Sequence, residues 1–556
     1  HSLVALSAAL QNQHGIHALY TDEAVSHAGT LTHFFKPPFN RDLFLGAPSL
    51  YLKRLFVRAS SWLASGVAES GEPELELILK LIQHHGFTCV GHYPDIVTVV
   101  EQHSLTAVST DEEGALIGHF AAQRQLPVEY VERYNGSAWR VRYALDDRAR
   151  VTIILTHNRD ANLMTRCIAS LMDHTASPDI EILIPVISDT ETMVLQTARE
   201  VEKLLPGKVR VLELPVCSEV QAVNIAAAGA SGDALLLLDV SSVFVMRNWL
   251  SSLLNPLVRP EVACVGPKII NFDKKVMSAG MIAGADGWIA NVGTGADWQA
   301  PGYHGRYQCE QNYTLLNSQC LLIKRESFAR SGGLDERYAF LVTGVAAFCL
   351  HLHTLGYLAV WSPESIVATD NTDVSNNARV AEGSALIESY HQLFACDPAY
   401  GRHLSLKMPL YTLDEELTQN SIIASPKGDP VVLIVRAAQS AVAQKAEGYF
   451  RAMQSGGHIR LIIKESVPTL TAILRMNPAI TVVNGAVSEE ALTTFSRLRG
   501  LTGKPVYALL DESAEPFMSR PSLPFDRWLA LTPALEKWGQ SKGLEVLRIP
   551  DYVLQN

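Results

Sequence analysis

The residues best suited to chemistry sit at the ends of short apolar runs. Leu235 to Leu238 lead into Asp239, and Val151 to Leu155 lead into the polar turn Thr156-His157-Asn158-Arg159. Runs of this kind suit buried strands of a parallel sheet. Open α/β sheets bind ligands beyond the carboxyl ends of their strands, so Asp239 is placed for a site. An acid there is a hard oxygen donor of the kind a divalent cation on phosphates prefers. Two residues on, however, stands Ser241. Asp335 and Glu336 form a second acidic pair after Gly332-Gly333-Leu334. They read either as contacts to a ligand or as caps of the following segment. His351 and His353 invite a metal reading, but at i and i+2 of a helix they do not share a face. The eight cysteines (Cys89, Cys167, Cys217, Cys264, Cys309, Cys320, Cys349 and Cys396) include no CxxC pair. That favours free thiols in a reducing compartment over a disulfide framework or a zinc site. Cys320 and Cys349 lie in apolar runs and read as core thiols.

The elements that must position these residues follow from pattern. At 556 residues the chain is too long for one core. With 47% hydrophobic and 19% charged residues it reads as globular, not disordered. A net charge of -11 and the lack of a basic block argue against nucleic acid as a partner. No apolar run is long enough to span a bilayer, and no signal peptide is recognisable. Residues 1–108 open with a helical pattern, SLVALSAALQNQHG, then HALYTDE as a strand ending in two acids, Asp22 and Glu23. Pro37-Pro38 forbids helix, and PELELILKLIQHH is an amphipathic helix ending at Gly86. Residues 109–150 read as a connector, with EEGALIGHFAAQRQ helical and WRVRYALDD extended. In residues 151–420, VTIIL, EILIPVI, VRVLELP and ALLLLDV are strands alternating with helices, which implies a doubly wound sheet. Residues 428–556 carry five more strand-like runs, VVLIV, IRLIIK, ITVVN, VYALL and EVLRI, and no GxGxxG.

The Gly232-Asp233 strand ending at Asp239, with Trp249-Leu250 after it, resembles the core of family 2 glycosyltransferases of the GT-A fold. The opening strand with its Thr-x-Asn turn, VGPKIINFDKKVMSAGMIAG, and CLLIKRESFARSGGLDERY resemble further sections of that family in order. The resemblance implies a GT-A-like mixed sheet in residues 151–420. It implies that Thr156, Asn158 and Asp239 are candidates for nucleotide binding and Asp335 and Glu336 for the acceptor side. Tyr20 to Ala24 and Phe35 to Asn40 resemble the second half of the first GT-A domain in tandem enzymes of bacterial surface glycans, with Glu74 and Glu76 where that group has two Asp. The last unit looks like the Rossmann-like acceptor half of a GT-B glycosyltransferase, through Pro505-Val506-Tyr507, Leu510-Asp511-Glu512, LALTPALEKWG and VLRIP.

Several chemical roles of that family are not filled. Val186 stands where an acid would meet the nucleotide, and Asp189 is three residues late, so on a strand it points to the other face. Ser241 replaces the second acid of the metal pair. Val345 stands at the general base, whose loss alone costs roughly 10²–10⁴-fold. Thr369 falls near a late His of the family. No catalytic residue is therefore assigned, and no metal is expected, with Asp239 the ligand if one binds. The resulting expectation is a degenerate, glycosyltransferase-like scaffold or a glycan- or nucleotide-sugar-binding module of surface-polysaccharide or flagellin glycosylation. The alternative is an active, metal-independent transferase moving a sugar from a nucleotide-sugar to a glycan or protein. Mg or Mn would be used only by an active form. Other glycosyltransferase domains or subunits are the expected partners. The expected location is the cytoplasm, at most peripheral to the inner membrane.

Overall fold

The computed structural model describes residues 6–7, 15–27, 30–52, 54–67, 70–101, 110–134, 138–146, 149–175, 179–371, 376–414, 429–436, 440–485, 487–510 and 523–549. The helical pattern read at the start of the chain falls almost wholly outside these residues, as do Asp511 and Glu512. The chain forms two compact units, one of residues 6–386 with 397–402 and one of residues 387–396 with the described part of 403–556.

The strands of the first unit are β1 (Ala18–His27), β2 (Thr30–Phe34), β3 (Leu55–Val57), β4 (Val90–Glu101), β5 (Val128–Tyr134), β6 (Ala138–Tyr143), β7 (Val151–Thr156), β8 (Ile180–Ile187), β9 (Val209–Leu214), β10 (Ala234–Asp239), β11 (Val243–Phe244), β12 (Val262–Ile270), β13 (Val276–Ser278), β14 (Met281–Ala283), β15 (Ile289–Asn291), β16 (Gln311–Tyr313), β17 (Cys320–Lys324) and β18 (Leu358–Ala368). The main sheet runs β11-β18-β12-β17-β10-β7-β8-β9, with β13 added on β12 and β16 on β18. β7 to β10 are parallel to one another, and β17 enters antiparallel between β10 and β12. This is the GT-A-like mixed sheet that the resemblance implies. All six residues of both β7 and β10 are buried, because helices cover both faces. Asp160 starts helix Ala161–His174 by accepting from the backbone N–H groups of Asn162 and Leu163.

Residues 15–101 repeat part of this plan. β1 pairs antiparallel with β2 and β3 and parallel with β4. β12 stands in the same relation to β13, β17 and β18. Among the described residues the small sheet has no counterpart of β7 to β10. Asp22 and Glu23 are not at a strand end, as the sequence suggested, but in mid-strand, and both are buried. Their reach is internal. Glu23 is 2.6 Å from Lys36 Nζ, while Asp22 accepts from the Lys36 N–H at 2.9 Å and lies 3.0 Å from His92 Nε2. These acids fix the Phe35-Lys36-Pro37 turn to the strand.

The stretch read as a connector is more than one. Helix Asp111–Gln123 is followed by a hairpin of β5 and β6, and Trp139 Nε1 donates to Glu113 Oε2 at 2.9 Å in the interior. β5 escaped sequence reading because its VEYVERY pattern is polar and none of its residues is fully buried. Buried polar bonds tie this half to the main sheet. Arg259 Nη1 lies 2.6 Å from Asp42 Oδ1, with both side chains about 5% exposed. Asn40 Nδ2 donates to Asn312 O and its Oδ1 accepts from Asn312 N.

The second unit has β19 (Val431–Arg436), β20 (Arg460–Lys464), β21 (Ile480–Asn484), β22 (Val506–Leu509), β23 (Arg527–Ala530) and β24 (Val546–Arg548). They form an all-parallel Rossmann-like sheet, β20-β19-β21-β22-β23-β24. Only β23 was not among the strands read from sequence.

The buried Asp42–Arg259 pair gives a stability prediction. Arg259→Met leaves Asp42 buried without its countercharge and should cost about 3–5 kcal/mol, whereas adding Asp42→Asn should recover much of that loss. Urea unfolding of the single and double variants measures it; a single variant as stable as the parent would show that the pair is not holding the two halves.

Candidate functional site

β7 and β10 pair in parallel with Thr156 opposite Asp239, so the chain leaving β7 turns across the end of β10. His157 makes that turn at φ 55°, a region seldom adopted by residues other than glycine. The turn aims the imidazole at Asp239. Its Nδ1 lies 2.7 Å from Asp239 Oδ2, and its Nε2 lies 3.5 Å from Glu219 Oε2. Glu219 is the first residue of helix Glu219–Ala228, whose start is held by a reciprocal capping box between Ser218 and Gln221. The same carboxylate accepts from the N–H of Leu341 at 2.9 Å. It thereby joins this helix to the start of helix Leu341–Thr354.

The other oxygen of Asp239 is also engaged. Oδ1 accepts from the Ser241 N–H at 2.8 Å and from Ser241 Oγ at 2.5 Å. Ser241 Oγ is 2.8 Å from Thr369 Oγ1, one residue past β18. The two positions where sequence suggested losses, Ser241 and Thr369, are thus joined in one network around Asp239.

Burial works against the charge on His157, but the bonds and charges of Asp239 and Glu219 outweigh it and raise its pKa to about 10. Burial pushes Asp239 upward, and His157 and Ser241 more than reverse this, so its pKa lies below the usual value. Glu219 behaves alike, with burial opposed by His157 and the Leu341 N–H. At neutral pH the site is an imidazolium between two carboxylates.

A divalent cation does not fit this donor set. One oxygen of Asp239 faces a cationic ring and the other is occupied by Ser241, whose hydroxyl is spent as a donor. Among the described residues no cluster of three or more His, Cys, Asp or Glu is arranged to hold a metal, and His351 and His353 supply none.

Thr156 and Asn158 are both buried beside this network. Asn158 Nδ2 donates to the carbonyls of Leu155 at 2.8 Å and Pro185 at 2.9 Å. Asn158 Oδ1 and Thr156 Oγ1 have no partner among the described residues. A cavity of about 40 Å³ lies between Thr156, His157, Asn158, Pro185, Glu219 and Leu341. Val186 is buried within β8 and Asp189 is exposed in the turn beyond it. Val345 is 1% exposed. Its neighbour Gly344 touches helix Glu219–Ala228 so closely that a Cβ would come 2.5 Å from Val220 Cγ2.

Asp335 and Glu336 are taken up locally. Asp335 is bonded by the guanidinium of Arg337 and by its N–H. Glu336 accepts from Asn224 Nδ2 at 3.1 Å, and Asn224 also holds both the N–H and the carbonyl of Leu334. The acidic turn is fastened to helix Glu219–Ala228. The eight cysteines are free, and Cys320 and Cys349 are buried.

Sequence reasoning did not single out His157 or Glu219. The available signal was a His one step beyond the strand-end residue that pairs with Asp239.

Residues 152–329 match the family model described as Glycosyl transferase family 2. The chain is 27% identical over 361 residues to "O-antigen biosynthesis protein RfbC" of Myxococcus xanthus, and 24% identical over 361 residues to "Uncharacterized protein y4gI" of Sinorhizobium fredii. These alignments cover 61% and 62% of this chain but only 27% and 39% of the relatives, so the chain spans less than half of their length. Similar solved structures include a mannosyltransferase from Pyrobaculum calidifontis in complex with GDP-Man and Mn2+, at 14% identity and TM-score 0.32, covering 45% of this chain and 65% of that one. Another is GalNAc-T7 with UDP, GalNAc and Mn2+, at 18% identity and TM-score 0.36, covering 47% and 53%. The match of residues 152–329 to the family 2 model agrees with the resemblance read in that part of the sequence.

The ion pairs set a pH signature. His157 has a folded pKa above its unfolded value near 6.5, so its stabilisation is complete below that pH and fades as pH rises to about 10. Asp239 and Glu219 are depressed, so theirs is present above the ordinary carboxylate range and fades as acid protonates them. The stability gap between the parent and His157→Gln should shrink from pH 6 to pH 9.5, and NMR should show His157 still protonated at pH 8. A midpoint near 6.5 would refute the pairing.

Proposed function

We propose that this chain is a glycosyltransferase-like module of surface-glycan assembly that has exchanged its metal-dependent transfer site for an internal ion pair, and that it acts as a scaffold or glycan-binding module. The observation that carries the reading is the imidazolium of His157 seated on Asp239 and Glu219. A resident cation there neutralises the acid that a metal and a diphosphate would otherwise share. The buried aliphatic side chain of Val345 at the general-base position adds to it, because it cannot take a proton from an acceptor hydroxyl. The relative named for O-antigen biosynthesis supports a place in surface-glycan assembly. The main domain would then be kept for its shape and its other surfaces. Other glycosyltransferase domains or subunits are the natural partners of such a module, on the cytoplasmic side of the membrane. Among the described residues no helix is long and apolar enough to cross a membrane.

A second reading is kept alive by one observation. Thr156 Oγ1 and Asn158 Oδ1 are buried beside the network without partners, and unsatisfied polar atoms in a native interior call for an explanation. A nucleotide base reaching between Thr156 and Asn158 would satisfy them. His157 would then serve as a fixed positive charge beside the diphosphate in a metal-independent transferase.

Calorimetry with UDP, dTDP and GDP sugars, with and without Mn2+, separates these readings, together with a donor-hydrolysis assay. The scaffold reading expects no turnover above the no-protein blank and no change on adding Mn2+. Micromolar binding in EDTA that is lost in His157→Gln, with turnover, would establish the metal-independent enzyme instead. Binding that requires Mn2+ and disappears in Asp239→Ala would overturn both.

A further inference from the structure

A second cavity of the first unit, apart from the Asp239 network, has a buried charge with nothing to balance it. Lys268, in β12, is 5% exposed. Its Nζ donates to two backbone carbonyls, Trp298 O at 3.1 Å and Tyr307 O at 3.2 Å, and lies 5.7 Å from the Trp361 ring. An ammonium has three protons to donate, so one is left over. Among the described residues no carboxylate reaches it. Burial holds its pKa down at about 8, which still leaves it mainly protonated at neutral pH. A buried cation without a countercharge is costly and is rarely kept without a role.

Lys268 lines a cavity of about 400 Å³, within the range of small-molecule sites. Trp298, Asn248, Gln299, Gln308 and Glu364 share the lining. Trp298 is half-buried and packs on Ile270, Ile366 and Ala368, leaving part of its ring open. The side-chain amides of Gln299 and Gln308 make no hydrogen bond within the described residues. Glu364 does not oppose an anion strongly, because Arg142 grips both its oxygens at 2.7 and 2.9 Å, and Arg140 and Asn248 add 2.8 and 3.1 Å contacts. An aromatic face, free amides and one unsatisfied ammonium match a ring that is apolar on its face, hydroxylated at its rim and acidic at one substituent. Lys268 pairs with Ile366 across the sheet, so the cavity opens roughly 10 Å along β18 from Thr369, taking ~3.3 Å per strand residue.

We propose that this cavity binds a saccharide carrying an acidic group, carboxylate or phosphate ester, with Lys268 as its counter-ion and Trp298 as its platform. This rests on the reading of the chain as a glycan-handling module, but it does not depend on whether sugar transfer occurs. The saccharide would displace water from the cleft and complete the third hydrogen bond of Lys268.

The test is calorimetry at fixed ionic strength with digalacturonate, galactose 6-phosphate, neutral galactobiose and inorganic phosphate, followed also by tryptophan fluorescence. At least one acidic sugar should bind about tenfold or more tighter than galactobiose and than inorganic phosphate, the scale of one charge-assisted hydrogen bond. Which acidic sugar wins identifies the source of the charge. Lys268→Met should bring the acidic sugar down to the neutral level. Gln299→Ala changes an exposed side chain and should weaken the acidic sugar several-fold whether or not the lysine variant folds. Equal affinity for acidic and neutral sugars, equal affinity for inorganic phosphate, no binding of any probe, or indifference to Gln299→Ala would each overturn the proposal. Nucleotide-sugar binding is read separately at Asp239, so failure here is distinguishable from failure of the functional reading above.

Discussion

The parallel pairing of β7 with β10 is the constraint from which the candidate site follows. It puts Thr156 level with Asp239, so whatever residue comes next must cross the mouth of the sheet. In this chain that residue is a histidine, held at positive φ. An unpaired carboxylate at 1% exposure would be costly by several kcal/mol. A neighbouring imidazole can meet that cost only by keeping its proton, and Glu219 on the next helix strengthens the same choice. The pair is thus a structural element of the sheet's mouth. It secures the loop after β7 and two helices, and it spends the charge of Asp239 inside the protein.

The N-terminal half shows the same physics. β1 carries Asp22 and Glu23 at buried positions in mid-strand, and both are answered by Lys36 and His92. Farther on, Asp42 meets Arg259 across the junction with the main sheet. Buried acids that might be read as catalytic are therefore anchors for the turn and for the junction. The repeat of one strand arrangement in β1–β4 and in β12, β13, β17 and β18 explains why family-like motifs recur in a segment that has, among the described residues, no counterpart of β7 to β10.

Much of this was legible in the sequence, and the limits have physical causes. Uninterrupted apolar runs announced β7, β8 and β10, because strands buried on both faces need no alternation. Asp239, Ser241, Val345 and Thr369 were all picked out by position. Their connection was not, since Ser241 and Thr369 are 128 residues apart and meet only once β18 lies beside β11. His157 was hidden for a similar reason. A histidine in a polar turn looks solvent-facing until the parallel register turns it onto a carboxylate. β5 failed on pattern, because a hairpin strand with no fully buried residue has little hydrophobic period to show. Asp22 and Glu23 were placed at a strand end because acids seldom occupy the middle of a buried strand, and the partner that permits it, Lys36, lies beyond β2.

Two cations of the first unit, the partly exposed His157 and the buried Lys268, now stand in contrast. His157 is balanced twice over, by Asp239 and Glu219, and gains nothing further from an anion. Among the described residues Lys268 meets two carbonyl oxygens and an aromatic ring, which solvate an ammonium without neutralising it. The free-energy gain from a ligand's negative charge is therefore far greater beside Lys268 than beside His157. If the fold has been kept while its metal-type seat closed on itself, selection would be expected to show at whichever site still has an unmet electrostatic demand. By that criterion the cavity bordered by β12 and β18, and not the end of β10, is where an anionic ligand has most to offer this domain.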